Sequence, residues 1–278
     1  LAFLLGAASA ATLQAQTRTS PAPGRVVGWA WNGGTTRGCS QVYTQDVDNK
    51  CQNAVAFGSG TNLCSQKGTN GGGTAYDPRS QSVYVSNGAT IALYNLGVKK
   101  ELCSISATLA AKGGVVTGLA MSDATRELWQ GEMGSGVLYL SSYDVSNPCK
   151  PVHKNNTCKV AVTGTGAVAL GLAYDEVRKL IYYSVSISGF GGWVNEVRVA
   201  SAAKPCTELK RFSVNSCGSR PGSPITGLGY DSCTQRLYVA SATGIRVMLL
   251  TNPTAGPVTD LSGTSCCAFT GTGTWMGM

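Results

Sequence analysis

The chain has a single histidine, His153, in 278 residues. That scarcity removes metal sites built on several imidazoles, the HExxH zinc pair among them. It also leaves any Ser-His-Asp or Cys-His mechanism dependent on one residue. His153 lies in the polar stretch KPVHKNNTC and no GxSxG elbow accompanies it, so a solvated loop role is expected. No CxxC pair occurs among the eleven cysteines, which argues against structural zinc. Outside residues 1–11, no segment approaches the 18 apolar residues that a membrane-spanning helix needs. No window sustains a 3.6-residue apolar period, which excludes a helical bundle or solenoid. No block of like charge and no basic-aromatic motif occurs, so nucleic acid is not an expected partner.

What the chain does have is a repeat. Residues 225–239 read ITGLGYDSCTQRLYV, a short apolar run closed by Tyr-Asp, a turn, and a second run entered through Leu-Tyr. The same phrase recurs at 72–85 (GGTAYDPRSQSVYV), 116–129 (VTGLAMSDATRELW) and 169–183 (ALGLAYDEVRKLIYY). A weaker copy stands at 27–44, and a sixth beginning, TWMGM, at 274–278. The small residue of the phrase falls at Ala30, Ala75, Ala120, Ala173, Gly229 and Gly277. Within four units two large side chains keep one spacing: Tyr76 and Tyr84, Met121 and Trp129, Tyr174 and Tyr182, Tyr230 and Tyr238. Constant spacing inside the unit and variable spacing between units describe a fixed hairpin with variable loops.

A third β-like run follows each hairpin at 91–96, 137–140, 194–200 and 245–250, and a fourth near 102–109, 159–162 and 209–214. Four short strands per unit of roughly 45–55 residues make the blade of a β-propeller. Val, Ile, Tyr and Thr in these runs, bounded by Gly, Asn, Asp and Pro, support strands. The expected fold is all-β: a propeller of six or seven blades, five of them and the start of a sixth visible here. The tyrosines at 76, 174 and 230 are expected between blades, and Tyr84, Trp129, Tyr182 and Tyr238 inside them.

Residues 83–96, VYVSNGATIALYNL, resemble the YVTN-type propeller repeat, and the GLAYD…LYV phrase is similar to NHL and related propellers. The resemblance implies a blade and brings no catalytic residue with it. Lactonase-like propellers hold a divalent ion with a Glu, Asn and Asp set; here Glu132, Asn195 and Glu196 are the only loose counterparts, and none lies on a matching motif. Quinoprotein-type propellers are disfavoured because no Trp-docking motif repeats.

Residues 1–15 are predicted to be a signal peptide lacking its own start, with cleavage after Ala15 or Ala10. Residues 16–25 read as a Pro-rich linker, and 26–278 as the propeller domain, cut short at its C-terminus. Eleven cysteines behind a signal-like start predict an oxidising compartment, hence a secreted, periplasmic or cell-surface protein with disulfides. Cys149 and Cys206 both follow Pro, with Cys158 and Cys217 nine and eleven residues later, which predicts local staples Cys149–Cys158 and Cys206–Cys217. Residues 155–157 match the N-glycosylation sequon, a weak three-residue signal.

Two sets of side chains are candidate sites. Asp77, Asp175 and Asp231 end the first strand of three units and are expected to ring one mouth of the axis. There they either cap their own turns or hold Ca²⁺, a cation that takes six to eight oxygens. The same hairpins carry Arg79, Arg126, Arg178, Lys179 and Arg236, and the links between strands three and four add Lys99, Lys100, Lys150, Lys154 and Lys204. With 22 Lys and Arg against 14 acids, one face of the disc is expected to be positive and to attract an anionic polysaccharide or an acidic protein. The expected role is a secreted binding or scaffold module for an extracellular protein or anionic glycan. The alternatives are a metal-dependent hydrolase at the axial mouth and a structural protein that self-assembles.

Overall fold

The computed structural model describes residues 25–31, 40–46, 55–56, 72–98, 100–162, 164, 166–189, 191–214, 223–241, 244–254, 259–260, 267–268 and 274–277. The proposed signal peptide, most of the linker, Cys217 and Lys99 lie outside them. Among the described residues there is no helix; there are five small antiparallel sheets. The first holds β1 (Arg25–Trp31), β2 (Ser40–Asp46) and β3 (Val55–Ala56). The second runs β4 (Thr74–Asp77), β5 (Ser82–Asn87), β6 (Thr90–Asn95) and β7 (Lys100–Ser106). In the third, β8 (Val115–Ser122), β9 (Glu127–Gly134) and β10 (Val137–Asp144) are followed by β11 (Val152–His153) and β12 (Cys158–Val160), both paired to β10. The fourth runs β13 (Leu172–Asp175), β14 (Leu180–Gly189), β15 (Gly192–Ser201) and β16 (Lys204–Ser213). The fifth holds β17 (Ile225–Asp231), β18 (Arg236–Ser241) and β19 (Gly244–Leu249), with β20 (Thr259–Asp260) and β21 (Cys267–Ala268) on β19. This is the blade arrangement of a β-propeller.

The strand expected to open a sixth blade has another place. β22 (Thr274–Gly277) pairs antiparallel with β1, Ala30 opposite Trp275 and Trp31 opposite Thr274. It supplies the inner strand of the first sheet, so β1 is that sheet's second strand. The three N-terminal strands alone would leave the backbone edge of β1 unpaired, and β22 covers it. β22 also packs against β17, and β1 against β4.

The core lies at the seams between sheets. Tyr84, Leu93, Leu119 and Leu128 fill the seam between the second and third sheets. Trp129, Leu140, Leu172 and Ile181 fill the next, and Tyr182, Val197, Leu228 and Leu237 the one after. Tyr84, Trp129 and Tyr182 therefore pack against the following blade instead of filling their own. Adjacent residues of a strand face opposite sides, so Tyr183 and Tyr182 serve different seams. That explains why β14 is apolar in consecutive positions: both its faces are covered. Removing the Trp129 ring from water contributes about 3 kcal/mol, less the cost of its buried indole N–H, which has no hydrogen-bond partner among the described residues.

The repeated glycine sets how close the inner strands come. A Cβ on Gly73 would lie 2.1 Å from the Leu119 nitrogen, and one on Gly171 2.8 Å from the Leu228 nitrogen. Consecutive inner strands thus pass backbone against backbone, leaving no room for a side chain there.

Candidate functional site

Among the described residues, four equivalent turns link strands one and two of blades two to five. Each ends on a residue of positive φ: Gln81 at 49°, Arg126 at 52°, Lys179 at 55° and Gln235 at 57°. The left-handed conformation costs a residue with a Cβ roughly 1–2 kcal/mol. The residue that opens the turn offsets that cost by accepting backbone N–H groups further on. Asp77 accepts from Arg79 at 3.1 Å, Asp175 from Val177 at 2.9 Å and Arg178 at 3.1 Å, and Asp231 from Cys233 at 2.9 Å. Hydroxyls complete the caps: Ser80 donates to Asp77 at 2.8 Å and Thr234 to Asp231 at 2.6 Å. The three carboxylates thus serve their own turns. Among the described residues no group of three or more His, Cys, Asp or Glu is placed to hold a metal ion.

Two of the cations expected to form a basic face, Arg126 and Arg178, meet these same carboxylates, and Arg79 and Lys179 meet neighbouring acids. Arg126 makes a two-pronged pair with Asp77 of the preceding blade, at 2.8 and 2.7 Å. Asp77 is fully buried and the Arg126 side chain is 13% exposed. Arg79 reaches the other way, to Asp123 at 2.6 Å. Arg178 donates to Asp175 at 3.0 Å, then crosses to the Tyr230 hydroxyl at 2.9 Å and the Thr251 carbonyl at 3.0 Å. Lys179 pairs with Glu176 at 3.0 Å, and Glu176 in turn accepts the Asp123 and Ala124 N–H groups of the third blade. Ser232 donates to Asp175 and accepts the Glu176 N–H, tying blade five to blade four. Arg236 opens β18 opposite Asp231. The two candidate sets are therefore one polar belt that joins blades two to five.

Burial pushes the Asp77 carboxyl up, but hydrogen bonds from Arg126 and Ser80 and the Arg126 charge outweigh it and hold it below its ordinary value. Hydrogen bonding to Asp77 raises Arg126 further. Burial, then the Asp77 charge, drives the Tyr84 hydroxyl well above its ordinary value, and burial does the same to Tyr182. Neither tyrosine is a proton acceptor at neutral pH.

The disulfides differ from the expected local staples. Cys149 bonds Cys103 of β7, and Cys158 bonds Cys206 of β16. The reason is the path between Cys149 and Cys158: β11 and β12 both fold onto β10, which puts the two cysteines next to different neighbouring blades. One sequence signal pointed this way. The bridged residues are 46 and 48 apart, one blade period each. Cys233 carries a free, exposed thiol at the tip of the fifth-blade turn.

The remaining sequence candidates are structural in their surroundings. His153 accepts the Asn155 N–H at 3.1 Å and meets the edge of Tyr143. Glu132 caps the Ala110 and Ala111 N–H groups at 2.7 and 2.8 Å, and Asn195 donates to the Ser223 carbonyl at 3.0 Å. Glu196 pairs with Arg198 at 2.9 Å. Sequence reading missed Arg198, which is buried, bonds Ala161 of blade three and faces Glu208 as well. A lone arginine in a strand of alternating pattern carries no mark of burial.

No family model matches the chain, and no curated protein matches it. Its fold is similar to that of a chain in the crystal structure of a nidogen/laminin complex, at 15% identity and a TM-score of 0.53, over 87% of this chain and 80% of that one. The β-propeller domain of Cps50 (Swd1) from Myceliophteria thermophila is similar at 10% identity and a TM-score of 0.45, over 85% and 71%. TolB from Acinetobacter baumannii is similar at 12% and 0.45, over 86% and 52%. The first likeness shows the propeller fold.

Proposed function

We propose that this chain is an extracellular binding or scaffold module whose propeller is a rigid platform, built of YVTN/NHL-like repeats. The observation that carries the reading is the placement of the two disulfides. Each joins the outer part of one blade to the next, Cys103–Cys149 and Cys158–Cys206. Bridges of this kind persist in oxidising compartments. The axial polar belt supports the same role, because its carboxylates and guanidiniums hold blades together and are spent in doing so. The partner is an extracellular macromolecule that docks on the disc surface.

The test is a non-reducing peptide map of the native protein from its source, with the medium, envelope and cytosolic fractions kept apart. Both cross-blade linkages should appear in protein from the medium or envelope. Protein found in the cytosol with Cys103, Cys149, Cys158 and Cys206 as free thiols would sink the reading.

A further inference from the structure

At the rim the charges are arranged differently from those at the axis. Lys150 adjoins Cys149, Lys159 adjoins Cys158, Lys204 stands two residues before Cys206, and Lys100 three before Cys103. The bridges hold the backbones that carry these lysines together, with Cα–Cα distances of 5.7 and 5.9 Å at the bridged cysteines. All four lysines are exposed, and none forms an ion pair with another described residue. The nearby acids are committed elsewhere. Glu101 accepts the Tyr94 hydroxyl at 2.8 Å, and Glu208 pairs with Arg211 at 2.6 Å.

The link between the two bridges is also fixed in shape. Lys154 N–H bonds the Ser142 carbonyl at 2.9 Å, and the Asn156 amide bonds both the N–H and the hydroxyl of Ser142, at 2.9 and 2.8 Å. A surface already rigid loses little entropy on binding.

We infer that this stapled rim, from β7 to β16, is the docking surface for a linear anionic polysaccharide bearing sulfate or carboxylate groups. The inference rests on the extracellular reading above. Its ligand class follows from the residue types. Protein-binding surfaces gain their energy from buried aromatic and Arg anchors and are depleted in Lys. These four cations, left without an ion pair, are lysines, whereas Arg211 is paired with Glu208. Lysines are compact point charges suited to a chain of spaced anions and not to the two-pronged recognition that Arg provides. The exposed apolar side chains on the stapled strands and their link, Leu102, Val152 and Leu209, offer no flat ring to anchor a protein hot spot.

The experiment measures heparin binding by the purified, disulfide-intact chain across a salt series. Parent protein is compared with Lys100/Lys150/Lys159/Lys204→Gln and with the same four positions changed to Arg. The Gln variant should bind about tenfold or more weakly at low salt and show a shallower salt dependence, while the Arg variant binds like the parent. An unchanged melting transition shows that both variants are folded. Three results would overturn the inference: a parent that does not bind heparin at low salt, a Gln variant that binds like the parent, or equal affinity for duplex DNA at the same salt. Failure of the extracellular reading shows separately, as reduced cytosolic protein in the peptide map.

Discussion

The axial mouth and the rim of this propeller carry similar numbers of basic side chains and use them in opposite ways. At the mouth, Arg126, Arg178 and Lys179 each face a carboxylate within 3.0 Å, and the bonds around them run from blade to blade. At the rim, Lys100, Lys150, Lys159 and Lys204 point to solvent, and covalent bonds do the joining. A formal charge of +8 does not distinguish the two regions. Burial does. A cation taken out of water must bring its counter-ion along, whereas one left in water keeps its charge available to a ligand.

The contrast is broken most forcefully at Arg126. Replacing it with Leu strands the buried Asp77 carboxylate, and a loss of about 3–5 kcal/mol in unfolding free energy is expected from denaturant titration. Removing the Cys103–Cys149 bridge with Ser at both positions should cost about 2–4 kcal/mol, most of it from greater freedom of the unfolded chain. A smaller loss is no embarrassment to the seam, which Tyr84, Leu119 and Leu128 also hold.

Acid sharpens the comparison. The Asp77 carboxyl is held below its ordinary value in the folded protein. Its stabilising share is therefore complete above the unfolded value of about 3.9 and is lost as pH falls through the lower, folded value. The stability gap between the parent and Asp77→Asn should narrow as the pH drops below about 4, read from urea midpoints at successive pH values. A gap that stays constant would show that the pair with Arg126 does not set the carboxyl's ionisation.

Two smaller effects separate exposed from buried charge. Arg79 is 55% exposed though paired with Asp123, so Arg79→Ala should cost no more than about 1 kcal/mol. Lys150→Gln should change stability by less than about 0.5 kcal/mol while lowering affinity for heparin. A large stability loss in the lysine variant would place the rim charges in the architecture, alongside those at the mouth.

Much of the blade was legible in the chain because its signals are local. Tyr174-Asp175 followed by a short turn and Leu180 marks a hairpin through alternation and turn chemistry alone, and the strands pair as expected from it. What crossed from blade to blade was not legible. Asp77 and Arg126 are 49 residues apart, and no spacing rule connects a turn carboxylate to the left-handed residue of the next turn. Cys149 and Cys158 look like a local pair until β11 and β12 are seen on one strand. The Thr274–Gly277 strand looks like the start of a new unit because an inner strand reads the same whichever partner completes its sheet.

The most direct measurement is a double-mutant cycle on Asp77 and Arg126, with Asn and Gln as the replacements and unfolding free energy at neutral pH as the readout. A belt that binds blades together predicts a coupling of about 2 kcal/mol or more between the two positions, close to the upper range for contacting residues. Additive losses, with coupling near zero, would mean that the axial charges do not hold the blades and would return Arg126 to the set of cations available for a ligand.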